Sequence, residues 1–243
     1  MCGRFTLLTL GQFTDLFPWI RMPVRSAEDA GSGRYNISPS QNIAVVANDG
    51  ANQIDFYRWG LVPFWAKDPA IGNRMINARS ESIAAKPAFR EAFRLRRCLV
   101  PADGFFEWKQ HEKGGRGKIP LRIRMRSHQP FAFAGLWERW RDPAGGGELH
   151  TCTIVTCAAN DLLRPIHDRM PVILRPEDYR RWIDPAPADP KLLQPMLAPF
   201  DASAMEAYAV GTTVNKAGNE SPQCIEPVAG DAPAAPSQPG LFD

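Results

Sequence analysis

Apolar and polar side chains alternate with period two, or form short apolar runs, over residues 42–48, 54–60, 105–109, 119–126, 131–137 and 149–157. This is the pattern of strands that bury one face. Short connections between several of them predict antiparallel pairing. Helical spacing is rarer and confined to 10–17, 87–97, 160–164 and 176–182, the second opening on Pro87, whose missing N–H costs nothing in a first turn. The expected class is α+β: a curved, mainly antiparallel sheet or barrel-like β core with peripheral helices.

No repeat and no clear linker interrupts residues 1–225, which read as one domain. From 226 to 243 the chain is largely Pro, Ala and Gly, too poor in apolar surface to offset its ordering entropy, and it is expected to be a disordered tail. The formal charge of +3 over 243 residues becomes +6 on 1–225, because that tail carries Glu226, Asp231 and Asp243 and no base. A moderately basic body favours a polyanionic partner. No apolar run approaches the roughly 18 residues of a membrane span and no secretory signal is present, so no membrane association and a cytoplasmic location are expected. The five cysteines are scattered without a CxxC pair, which fits reduced thiols. Cys152 and Cys157 sit five apart on one expected strand and so on opposite faces, which argues against a shared zinc. No metal and no cofactor are expected. Neither a GxSxG elbow nor a GxxxxGK[ST] loop occurs.

The candidate chemistry begins at the second residue. If Met1 is trimmed, Cys2 presents an α-amine and a thiol on adjacent carbons. An α-amine of pKa about 7.7–8.0 is roughly a fifth to a third neutral near pH 7.4, and a thiol near 8.5 is several per cent thiolate, so both are usable nucleophiles. Met-Cys is also an ordinary start with no chemistry attached. Glu107, among the aromatics of Gly104-Phe105-Phe106-Glu107-Trp108, would have a raised pKa and could act as general acid or base, or it could be an edge-strand acid facing solvent. His167 lies in a loop fixed by Pro165 and Pro171 with charged neighbours, and Asn77-Ala78-Arg79-Ser80-Glu81 has the make-up of a helix entry. Arg90, Arg94 and Arg97 share one face of the 87–97 helix, and Arg122, Arg124 and Arg126 share one face of a strand. Both sets read most simply as solvated faces. Trp59 and Trp65 bracket an aromatic loop on which unpaired bases could stack, and they fit a core equally well.

Taken together, the opening MCGRF, WGLVPFW at 59–65, NARSE at 77–81, RCLVPADGFFEW at 97–108, IHDRMP at 166–171 and Val214-Asn215 resemble, in order and spacing, the SOS response-associated peptidase (SRAP) family over about residues 2–225. One departure is Phe106, where that family usually has tyrosine. The resemblance implies single-stranded DNA binding and covalent capture of abasic sites by Cys2 through a thiazolidine, with Asn77, Glu107 and His167 completing the catalytic set. It further implies Arg4 and Arg79 on flanking phosphates, Trp59 and Trp65 against bases, and Thr156 near the site. The DNA-bound protein would be nucleoid-associated. A cysteine peptidase using Cys2 and His167, perhaps acting only on its own Met1, and a noncovalent single-strand binding module are the rival readings. Gln238, Leu241 and Phe242 in the tail are similar to the QxxLF peptides that dock on sliding clamps, which makes the clamp a candidate partner.

Overall fold

The computed structural model describes residues 2–8, 10–22, 33–111 and 117–228. Met1 and the candidate clamp peptide therefore lie outside the described residues. Twelve strands are formed among them: β1 (Phe5–Leu7), β2 (Arg34–Ile37), β3 (Asn42–Ala47), β4 (Ile54–Trp59), β5 (Asn77–Arg79), β6 (Arg97–Ala102), β7 (Gly104–Gln110), β8 (Lys118–Met125), β9 (Phe131–Arg141), β10 (Glu148–Ala158), β11 (Arg169–Pro171) and β12 (Met205–Ala209). The α-helices are short: α1 (Leu10–Leu16), α2 (Arg90–Leu95), α3 (Tyr179–Trp182) and α4 (Pro190–Leu193). The α+β class holds.

Strands β10, β4, β3, β6 and β9 pair in that order, and β9 returns to β10, closing a five-stranded barrel. Strand direction cannot alternate all the way round a ring of five, so one parallel pair is unavoidable. It falls between β10 and β4, where Thr151 faces Arg58 and Cys152 faces Trp59. A second sheet, β12-β8-β7-β1-β2, is antiparallel throughout. The two are joined by edge-on aromatics, with Phe5 5.3 Å from Trp59 and 5.8 Å from Phe133, and Phe105 6.0 Å from Phe133.

Several elements differ from the sequence pattern. The expected helix 87–97 begins only at Arg90, and Arg97 opens β6 instead. Arg97 is not on a solvated face: it is fully buried and its guanidinium donates to the carbonyls of Trp182, Arg94, Phe93, Asp184 and Ala186. Arg122 is likewise buried, held by Asp103 at 2.8 Å and by the Tyr208 hydroxyl at 3.0 Å, while Arg124 pairs with Glu206 at 2.7 Å. Residues 226–228, expected to belong to the tail, are among the described residues. Pro227 bridges Val210 and the Val228 N–H donates to Ala209, so 226–228 stay on the body. No helix among the described residues is long and apolar enough to cross a membrane.

Candidate active site

Strand β10 gathers the site because it runs on past its pairings with β4 and β9. On one side β4 stops at Trp59 and β5 takes over, pairing Asn77 with Ile154 and Arg79 with Thr156. On the other side β9 gives way to β11, which pairs Met170 with Cys157 immediately after the His167 turn. The exchange of β4 for β5 depends on glycine. Gly60 has φ of +131°, and a Cβ there would lie 2.7 Å from the Gly72 carbonyl oxygen; one on Gly72 would lie 2.6 Å from that of Gly60. Only two bare backbones can pass this closely, and the loop between them returns the chain as β5.

The N-terminal residues run into the seam between sheet and barrel. Phe5 faces Phe105 on β7 and the Phe106 N–H donates to the Arg4 carbonyl, so the same register carries Gly3 and Cys2 alongside Glu107 and Trp108. Asp103 anchors this strand, accepting from the Thr6 hydroxyl at 2.5 Å and from the Leu8 N–H. Gly104 is needed beside it, since a Cβ would meet the Arg122 guanidinium at 2.8 Å.

Cys2 is fully buried, and the Asn77 side-chain amide donates to its carbonyl at 2.8 Å. The Asn77 Oδ1 is buried with no hydrogen-bond partner among the described residues. Burial pushes the Cys2 thiol well up, the nearby Glu107 charge pushes it further, and the Arg4 N–H on the sulfur works the other way. Glu107 is buried, which raises its carboxyl above the ordinary range, and the charge of His167 opposes that rise. His167 is half-buried. Its Nδ1 accepts the Arg169 N–H at 3.0 Å, which leaves the proton of a neutral ring on Nε2, and Asp168 lies 2.8 Å from the same Nδ1, ready to accept when the ring is protonated. The Cys2 thiol, the Glu107 carboxyl and the His167 imidazole thus converge on one seam.

Residues 1–217 match the family described as SOS response associated peptidase (SRAP). The chain belongs to that family. It is similar to the abasic site processing protein YoqW of Bacillus subtilis, 47% identical over 227 residues, covering 93% of this chain and 99% of that one. It is also similar to the abasic site processing protein YMR114C of Saccharomyces cerevisiae, 31% identical, covering 94% of this chain and 68% of that one. Among solved structures, a Bacteroides thetaiotaomicron protein matches with a TM-score of 0.83 at 27% identity, covering 93% of this chain and all of that one.

The SRAP fold brings Cys2, Asn77, Glu107 and His167 together and places the other expected residues unequally. Arg4 stands beside the site over the Trp108 ring, 5.8 Å from its centroid. Its Nη1 donates to the Asn36 side chain and to the Val214 carbonyl, both at 2.7 Å, while its Nε is buried without a partner among the described residues. Arg79 is exposed on β5. Trp65 is half exposed beside the similarly exposed Phe64, but Trp59 is fully buried, its ring against Phe5 and its indole N–H donating to the Ile76 carbonyl at 2.8 Å. Trp59 is therefore a core residue with no face to offer a base. Thr156 is also fully buried and serves Arg169, which donates to its carbonyl and hydroxyl. Phe106 faces away from Glu107, as alternation on β7 requires, into a small cluster with Tyr208, Val214 and Cys224. A ring at that position packs this cluster and does not reach the seam.

The pattern left Glu81 and Arg169 without roles. They form a two-pronged ion pair at 2.6 and 3.0 Å that ties the NARSE strand to the His167 turn. Both lie inside quoted motifs, but the pairing spans 88 positions of sequence and only the fold closes it. Among the described residues no group of His, Cys, Asp and Glu is placed to hold a metal.

Proposed function

We propose that this SRAP protein processes abasic sites in single-stranded DNA by joining them to Cys2. With Met1 removed, the α-amine of Cys2 adds to the C1′ aldehyde of the opened sugar. The hydroxyl of the resulting carbinolamine leaves as water with a proton from Glu107, giving an iminium. Sγ then adds to that carbon and the thiol proton returns to Glu107, closing a five-membered thiazolidine with one water as the only by-product. His167 Nε2–H donates to the ring oxygen as the sugar opens, and Asn77 holds Cys2 through its carbonyl. Arg4, beside the site, and the exposed Arg79 receive flanking phosphates.

The observation that carries this reading is the buried Glu107 carboxyl beside Cys2. A peptidase needs a depressed thiol pKa, whereas burial and Glu107 raise this one. Capture of an iminium needs no preformed thiolate, only a base to take the proton, and Glu107 is placed to be that base. A noncovalent single-strand binder would need its stacking rings, and one of the two expected, Trp59, is buried.

Intact mass after incubation with abasic and undamaged oligonucleotides, alongside a peptide substrate, tests the reading. A one-to-one adduct with abasic DNA alone, heavier by the oligonucleotide less one water, is expected. Peptide turnover without an adduct would favour the peptidase, and binding without an adduct the noncovalent module.

The tail bears a separate part of the proposal. Gln238, Leu241 and Phe242 would dock on a sliding clamp and carry the protein to replicating DNA. A fluorescent 235–243 peptide should bind clamp at tens of micromolar or tighter, and Leu241→Ala with Phe242→Ala should abolish binding.

A further inference from the structure

A groove of about 460 Å³ opens directly beside Glu107. Its floor is the face of β7, β8 and β12 that Glu107 itself shares: Glu107 pairs with Leu121, Leu121 with Ala209, and Lys109 with Ile119. Its wall is the turn ending at His167, through Leu162, Pro165 and Ile166. The groove is thus lined on one side by Leu121, the strand partner of Glu107, and on the other by Ile166, the residue before His167. Lys109 is the charged residue among those that line it, and Lys118 lies close enough for its charge to act on Glu107.

From this placement, and resting on the abasic-site reading above, we infer that the groove holds the intact nucleotide next to the abasic site, its base on Leu121 and Ile166 and its phosphate toward Lys109. Strand addition by an extended peptide is hindered here: β8 is paired on both sides, by β7 and β12, and the outer edge of β12 is met at Ala209 and Val210 by residues 227–228. A base needs only a flat apolar surface, and a phosphate needs a cation. The Tyr208 side chain lies on the opposite face of β12, with Phe106, where its hydroxyl is engaged by Arg122 and the Ile225 carbonyl, so it offers the groove no base-reading group. The groove therefore accepts any base.

The test replaces the nucleotide on the 5′ or the 3′ side of the abasic site with a baseless tetrahydrofuran spacer and measures crosslinking rate at limiting protein. Loss of one base contact is expected to slow wild type about 10-fold on one side only, in line with about 1–3 kcal/mol per stacked base. Ile166→Ser should be slow with the intact flank and indifferent to the spacer. Lys109→Glu, a substitution at a partly exposed position that leaves the core untouched, should weaken binding while keeping the spacer effect. A wild type indifferent to both spacers, or an Ile166→Ser variant that keeps the full 10-fold effect, would overturn the inference. Fluorescence anisotropy with tetrahydrofuran at the abasic position itself, which cannot condense, reads the same flank dependence without any crosslink. Failure of the chemistry is thereby separated from failure of the groove.

Discussion

The barrel interior and the seam outside it each bury a cysteine completely, and the two thiols live in different chemistry. Cys152 lies on β10 with its thiol raised by burial alone, among apolar neighbours in the continuous core. Cys2 is raised by burial too, but Glu107 adds to the rise, a backbone N–H meets its sulfur and Asn77 grips its carbonyl. Burial by itself makes a thiol inert. The seam is also polar and partly unsatisfied: Asn77 Oδ1 and Arg4 Nε have no partners among the described residues, an arrangement that costs stability.

The sharpest way to break the comparison is to change both thiols. Cys2→Ser should bind abasic DNA as before yet give no heat-stable adduct by denaturing electrophoresis, because without sulfur the imine stays reversible. Cys152→Ser should crosslink within about twofold of wild type while losing about 1–3 kcal/mol of stability from a buried hydroxyl. If Cys152→Ser abolished the adduct in a folded protein, or Cys2→Ser retained it, the division between the two regions would fail.

Glu107→Gln tests the cost of the seam directly. Adduct formation should slow by about 10² or more, as when a positioned acid or base is lost. Stability should move the other way. A carboxyl whose folded pKa is raised binds more protons in the native than in the unfolded state, so stability falls as pH rises from about 4.3 through the raised value. Gln carries no such penalty. Thermal melts from pH 4 to pH 8 should show wild type losing stability relative to the variant as pH rises, and parallel curves would return Glu107 to an ordinary structural acid.

Two arginines extend the contrast to charge. Arg97, buried against five backbone carbonyls, is structural, and Arg97→Met should cost about 3–5 kcal/mol by leaving those acceptors without a donor. Urea denaturation measures this, and a loss below about 1 kcal/mol would mean that the carbonyls find other donors.

These arginines also show where the sequence could be read and where it could not. All six strands expected from alternation are present, as β3, β4, β7, β8, β9 and β10, because each buries one face and its period is visible. Strand β6 was hidden. It opens on a charge, follows a helix without a break and contains Pro101. That proline is harmless because β3 pairs with β6 only at Cys98 and Leu99, leaving the proline's other side without a ladder. Strands of three residues such as β1, β5 and β11 are too short to show a period, yet they carry or flank Cys2, Asn77 and His167. The site was legible through its motifs and side-chain chemistry instead. Trp59 and Thr156 misled for the opposite reason: they sit within or beside functional segments but point into the barrel or toward Arg169, and local sequence does not reveal orientation.

The smallest expected effect separates Arg79 from Arg97. Arg79 is exposed on β5, two residues beyond Asn77, with no ion pair in the described structure, so removing it should leave the melting temperature unchanged within error. Its contribution should appear only in the salt dependence of binding. Each phosphate neutralised on a single strand contributes about −0.7 to the slope of log affinity against log salt. Arg79→Ala should therefore flatten that slope by about 0.7, and weaken binding most at low salt. Arg4→Ala should flatten it similarly but also lower stability, because its Nη1 ties the N-terminal strand to Asn36 and Val214. Fluorescence anisotropy titrations at three or more salt concentrations decide the matter. An Arg79→Ala slope equal to wild type would mean that the strand passes this face without touching it, and that the phosphate path turns at Arg4.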